Sequence, residues 1–133
     1  MISKGKAKTA AEKRWLESVV DFATESSWLE MKYGLEVLDA RSFEIDHILG
    51  AQAKRKVMGV TTKVGEYAIM PIPYEIHNIR SAHPLNRTLS PSAYRNQFGH
   101  EKNVWLEMVE AMRADGYYEM PFTDLIINSI VKG

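Results

Sequence analysis

The chain has 133 residues, 45% hydrophobic and 26% charged, which predicts one globular domain with a modest core. It contains no cysteine, so disulfides, cysteine-held zinc and thiol catalysis are excluded. No apolar run nears the roughly 18 residues of a membrane span, no signal peptide is recognisable, and cytoplasmic residence with no membrane partner is the expectation. Lys plus Arg balances Asp plus Glu at 17 each, which argues against avid non-specific binding to a polyanion.

Residues 1–8 read as a mobile, Lys- and Ser-rich segment, and residues 9–133 as a single domain. Thr9 can cap a helix whose apolar face is Trp15, Leu16, Val19, Val20 and Ala23. Residues 27–34 predict a short helical turn or a tight connection, ended by Gly34. A strand follows in the alternation Phe43-Glu44-Ile45-Asp46-His47-Ile48-Leu49. Residues 50–66 form a long hairpin loop with a Lys54-Arg55-Lys56 cluster, partly stranded at Val57-Met58 or at Val60-Thr61-Thr62; a loop of that length tends to carry function. A second strand runs over 67–72, and Pro71 and Pro73 confine it to an edge or end it.

Pro73-Tyr74 launches a helix bearing Glu75, His77, Asn78 and Arg80, which must stop near Pro84. Ser90-Pro91 starts another, stopped by Gly99. The strongest helix spans about 100–115, with Val104, Trp105, Met108, Val109 and Met112 on its buried face and His100 at its start. A last helix from Thr123 or Asp124 buries Leu125, Ile126, Ile130 and Val131. The expected fold is α+β: a mostly helical single domain around one hairpin–helix core.

Charge is uneven along the chain. Residues 15–46 carry eight acids against Lys32 and Arg41. Residues 47–100 carry Lys54, Arg55, Lys56, Lys63, Arg80, Arg87 and Arg95 against Glu66 and Glu75, together with all four histidines, His47, His77, His83 and His100. A polyanion would find its complement there; chance clustering of solvated charge is the plainer alternative.

Asp46-His47 after a strand, a basic loop, a second strand ending in Pro-x-Pro, and His77 opening a helix form the layout of a ββα-metal nuclease site. Phosphodiester hydrolysis needs an activated water and a cation on the phosphate oxygens. His47 suits the proton-accepting role, since imidazole titrates near neutrality. Asp46 and His47 point to opposite faces of a strand, so Asp46 would share a divalent cation with His77. Two such ligands fit Mg²⁺, Mn²⁺ or Zn²⁺. His83 would add a third ligand or a phosphate contact, or is a surface histidine; Glu66 would be a ligand only if paired beside Asp46. Lys54, Arg55, Lys56, Lys63 and Arg80 are candidate DNA-phosphate contacts, which position a duplex without reading its bases.

The stretches Glu44-Ile45-Asp46-His47-Ile48-Leu49-Gly50 and Met70-Pro71-Ile72-Pro73-Tyr74-Glu75-Ile76-His77-Asn78 resemble the HNH endonuclease superfamily, nearest its phage Ref-type (recombination-enhancement) branch. That branch carries His-His-Ile-x-Gly and Pro-Leu-Cys-x-x-His-His motifs. Here Asp46 replaces the first His, and His77 falls on the last. The helix around Ala11-Glu12-Lys13-Arg14-Trp15 and the segment from Phe98-Gly99 to Trp105-Leu106 extend the likeness over roughly residues 10–115. Pro73 and Ile76 stand where the branch has Cys and the penultimate His, and the middle Asn would fall near Ala68. Asn78 is expected to point elsewhere.

The resemblance implies a ββα-metal (HNH) core and a metal-dependent DNA endonuclease, phage- or mobile-element-derived and resident in the host cytoplasm. It further implies a link to recombination, with a recombinase filament as a partner. The alternatives are a non-catalytic ββα module that binds DNA or a host protein, and a structural domain whose histidines are incidental.

Overall fold

The computed structural model describes residues 8–35 and 41–133. It is a small α+β domain with six helices and two separate two-stranded antiparallel sheets among the described residues. The expectation for residues 1–8 lies outside them, except at Lys8.

Helix α1 (Ala10–Glu25) opens with a reciprocal capping box: the Glu12 N–H donates to Thr9 Oγ1 at 3.1 Å, and the Thr9 N–H to Glu12 Oε1 at 2.8 Å. Helix α2 (Trp28–Tyr33) is ended by Gly34 in the left-handed region, φ +72°. Strand β1 (Phe43–His47) pairs with β4 (Ile69–Pro73) in the register Phe43↔Pro73, Glu44↔Ile72, Asp46↔Met70.

Two flanking bonds fix the phase of that ladder: Tyr74 N–H to Ser42 O at 3.0 Å, and Ile48 N–H to Ala68 O at 3.1 Å. Glu44 and Asp46 therefore sit at hydrogen-bonded positions, while the backbone nitrogens of residues 71 and 73 face away from β1. Every residue of β4 is buried. At Pro71 and Pro73 the missing N–H is an advantage, since a donor there would face a buried sheet edge. As expected, β4 is an edge strand, paired with β1 alone, and it ends at Pro73; Pro71 does not interrupt it.

The long loop expected over 50–66 is a second ribbon. Strand β2 (Lys54–Val57) pairs with β3 (Val60–Lys63) across a two-residue turn, Met58 and Gly59, with φ +51° and +80°. Both values are positive, as the tight hairpin turn that matches strand twist demands.

The helix expected after Pro73 is a single turn, α3 (Tyr74–His77). Asn78 leaves it in extended backbone, and its side chain accepts the Arg80 N–H at 2.9 Å. The fully buried Asn86 holds the loop that follows: Nδ2 donates to Asn78 O at 2.8 Å, and Oδ1 accepts from the Thr88 and Leu89 N–H groups at 2.9 and 3.1 Å. Local polar ties thus replace the later turns of the expected helix.

Helices α4 (Pro91–Phe98), α5 (Glu101–Asp115) and α6 (Asp124–Lys132) follow, with His100 capping α5 through Nδ1. The expected face of α5 is wholly buried. In α6 Ile130 is buried and Ile126 and Val131 pack partly buried against the core, as expected, whereas Leu125 is exposed and Ile127 takes its place. Trp15 and Trp105 lie fully buried in the core, and both indole N–H groups donate to the Tyr67 carbonyl, at 3.0 and 3.1 Å. Trp28 is only half-buried. Among the described residues no helix is long and apolar enough to cross a membrane.

Candidate functional site

Strand periodicity places Glu44 and Asp46 on one face of β1 and His47 on the other. The Pro73-to-Tyr74 corner brings α3 over the first face, so that His77 lies between the two carboxylates. His77 Nδ1 is 2.6 Å from Glu44 Oε1, and Asn78 Nδ2 donates to Glu44 Oε2 at 2.8 Å. An ionised carboxylate only accepts, so Nδ1 carries the proton and Nε2 faces Asp46 Oδ1, 3.6 Å away. Asn78 does belong to this cluster, contrary to expectation.

Asp46 is 2% exposed and is gripped by Arg87 through both oxygens, Nη2 to Oδ1 at 2.6 Å and Nε to Oδ2. Arg87 in turn donates from Nη1 to the buried Glu101 at 3.0 Å, and Glu101 also receives Arg95 at 2.7 Å and contacts His100 at 3.1 Å. Among the described residues these three carboxylates, Glu44, Asp46 and Glu101, meet the guanidiniums of Arg87 and Arg95 and two imidazoles, His77 between Glu44 and Asp46 and His100 on Glu101.

The protonation equilibria follow from those contacts. The Asp46 carboxylate and then that of Glu44 raise the His77 pKa above the ordinary imidazole value, against the opposing effect of burial. Burial would raise Asp46, but His77 and the Arg87 guanidinium outweigh it and hold the carboxyl below its usual range. Glu44 is likewise lowered, burial being overcome by the hydrogen bonds from His77 and Asn78. Tyr33 and Tyr94 share a buried hydroxyl–hydroxyl bond of 2.7 Å within electrostatic reach of Asp46 and Arg87, and burial raises both phenols.

On the opposite face, His47 Nε2 donates to the buried Glu66 at 2.8 Å. Glu66 is therefore a partner of His47 and is not placed beside Asp46. Lys8 stands 3.9 Å from the other Glu66 oxygen. Among the described residues no hydrogen-bond partner takes His47 Nδ1, so the pairing leaves a ring nitrogen with a lone pair on a side chain one-third exposed.

The pair depends on a close backbone crossing. Ala53 O accepts the N–H groups of Val64 and Gly65 at 2.9 and 3.1 Å, and a Cβ at Gly65 would run into the carbonyls of Gly50 and Ala51.

The other sequence candidates are dispersed. His83 Nδ1 accepts the Leu85 N–H at 3.0 Å, a turn-capping bond, and does not join Asp46 and His77. Arg80 is exposed. Lys54 and Lys56 are exposed and Lys63, on the same face of the ribbon, is half-buried, whereas Arg55 turns to α6, against Gly133.

Asp46 and His77 offer donor types that a divalent cation takes, with Nε2 and Oδ1 3.6 Å apart and both Asp46 oxygens already accepting from Arg87. Two donor atoms on one small cation stand roughly 3 Å apart, and the carboxylate on Nδ1 is the usual outer support of a metal-binding histidine. No group of three His, Cys, Asp or Glu side chains that could hold a metal ion is found among the described residues, so water and substrate oxygens would have to fill the other positions. No family model, curated protein or solved structure matches the chain.

Proposed function

We infer that the protein is a metal-dependent, HNH-type endonuclease that hydrolyses phosphodiester bonds of DNA. The observation that carries this reading is the Glu44–His77–Asp46 alignment: the Glu44 carboxylate takes the Nδ1 proton, and Nε2 is left opposite a buried carboxylate. The strand–strand–turn order of β1, β4 and α3 is the order a ββα-metal core requires.

In this reading His47 is the general base. Glu66 holds Nε2–H, which fixes the tautomer and leaves Nδ1 to take a proton from water. Asp46 and His77 hold the cation and Glu44 orients His77. A divalent ion there supplies Lewis-acid polarisation of the phosphate and charge neutralisation on its leaving oxygen. Arg87 keeps Asp46 ionised and aimed.

The test is nicking of supercoiled plasmid with Mg²⁺, Mn²⁺ or Zn²⁺, in the presence and absence of a recombinase filament. Wild type should nick with at least one ion, and His47→Ala should lose about 10²- to 10⁴-fold. A wild type inert under all these conditions would overturn the enzyme reading.

A second reading has its own support. Arg87 already neutralises both oxygens of Asp46, as a site that no longer takes a metal would. It makes the domain a non-catalytic module for DNA or a host protein. No cleavage, with no His77-dependent thermal shift on adding divalent ions, would favour it.

A further inference from the structure

The β2–β3 ribbon carries three features that the fold itself does not need. Lys54 and Lys63 are directly opposite across the strands, and Lys56 follows on the same face beside Thr61. Like charges so placed repel and weaken the ribbon. None of the three lysines forms an ion pair with an acid among the described residues. At the tip, Met58 is 82% exposed and sits at φ +51°, a backbone conformation that Gly, Asn or Asp adopts with less strain. Val60 beside it is 64% exposed.

We propose that this ribbon is an arm that docks in a groove of duplex DNA, with Lys54, Lys56 and Lys63 on the phosphates and Met58 making apolar contact with the bases at the tip. The proposal rests on DNA being the ligand, as in the function inferred above. The occupant follows from charge and size. A lysine face without an acidic partner among the described residues calls for a polyanion, and a two-stranded ribbon is an element the major groove admits. Large apolar tips on basic arms work by packing against or between base steps.

The ribbon's root supports the assignment. The bonds of Val64 and Gly65 to Ala53 tie β2 and β3 to the turn after His47, and Gly65 precedes Glu66, the partner of His47. An arm seated in the groove would set the distance from His47 to the backbone. Arg55 is excluded from the phosphate set: it packs against Gly133 at the end of α6, in a groove with Leu125 and Ser129 that Lys56 and Met58 also rim.

The experiment is binding of a short labelled duplex by anisotropy, in chelator so that no strand is cut, over a range of salt. Joint Lys54→Gln, Lys56→Gln and Lys63→Gln should reduce the slope of log affinity against log salt by about 2.7, or about 0.9 for each phosphate no longer neutralised. The same variant should unfold at an equal or higher temperature, because a repulsion is removed. Met58→Asn keeps the turn and should weaken binding about tenfold with no change of slope.

An unchanged slope, or tighter binding to an acidic peptide than to the duplex, overturns the proposal. A lowered slope in a protein that never cleaves would leave the arm standing and remove the enzyme. Cleavage by wild type with an unaffected slope would do the reverse. No duplex binding at all would overturn the arm.

Discussion

At the scale of single residues, Glu44 decides what His77 can do. Its carboxylate and the Asn78 amide form a chain that fixes the imidazole's orientation and tautomer. Glu44→Gln keeps the shape but can present its NH₂ to Nδ1, which favours the wrong tautomer. Divalent-ion affinity, read by titration calorimetry, should fall about 10- to 100-fold, with little loss of thermal stability. An unchanged affinity would mean that His77 is not a ligand. Glu44 was within reach of the sequence: period two puts it on the same face of β1 as Asp46. Arg87 was not, because a lone Arg between Asn86 and Thr88 has no periodic signal, and its 41-residue separation from Asp46 is closed only by the fold.

At the scale of elements, the turn between β1 and β2 and the segment before Glu66 cross where only a glycine fits. Gly65→Ala must displace the Gly50–Ala51 carbonyls or move Glu66 away from His47. A loss of about 1–3 kcal/mol is expected from urea unfolding, the range for overpacked sites. Plasmid nicking by the folded fraction should fall as well, since the pair that orients the base is loosened. Full activity with lowered stability would make the His47–Glu66 contact dispensable.

Most elements were legible in the sequence because they carry local signals: the Thr9–Glu12 capping box, Gly34, the Ser90-Pro91 start, and the heptad-like face of α5. The exceptions have local causes too. In α6 the consecutive apolar run Leu125-Ile126-Ile127 defines no single face, so packing against α5 and β2 chose Ile127. In the ribbon Val60-Thr61-Thr62 is recognisable as strand, whereas Lys54-Arg55-Lys56 offers no apolar alternation by which a strand is read. Helix α3 stops early because Asn86, eight residues beyond Asn78, holds the loop by hydrogen bonds that no pattern encodes.

At the scale of the whole molecule, the charge cluster around Asp46 predicts the shape of the pH–stability curve. The depressed carboxyls, Asp46, Glu44 and Glu101, stabilise the fold fully above their unfolded values near pH 4, and this is lost as pH falls through the folded ones. The raised His77 works in the other direction: its contribution is full below about pH 6.5 and is lost as pH rises through its folded value. Urea unfolding in chelator should therefore show greatest stability at roughly pH 4.5–6.5, with a decline on both sides. His77→Gln should flatten the alkaline side and also shallow the acid side, since His77 helps to hold the Glu44 and Asp46 carboxyls down. A wild-type curve that stays flat from pH 6 to 9 would mean that the imidazolium is not held.

The two indoles that converge on the Tyr67 carbonyl give the domain a built-in optical gauge. Trp15 reaches it from the first helix and Trp105 from the fifth, and Tyr67 stands two residues before β4, the strand paired with the one that carries Glu44 and Asp46. Any loosening of that strand's root must change the hydrogen bonding of both buried chromophores at once, while the half-buried Trp28 looks elsewhere. The emission of the native chain therefore monitors, without a label, whether the scaffold beneath the carboxylates is closed.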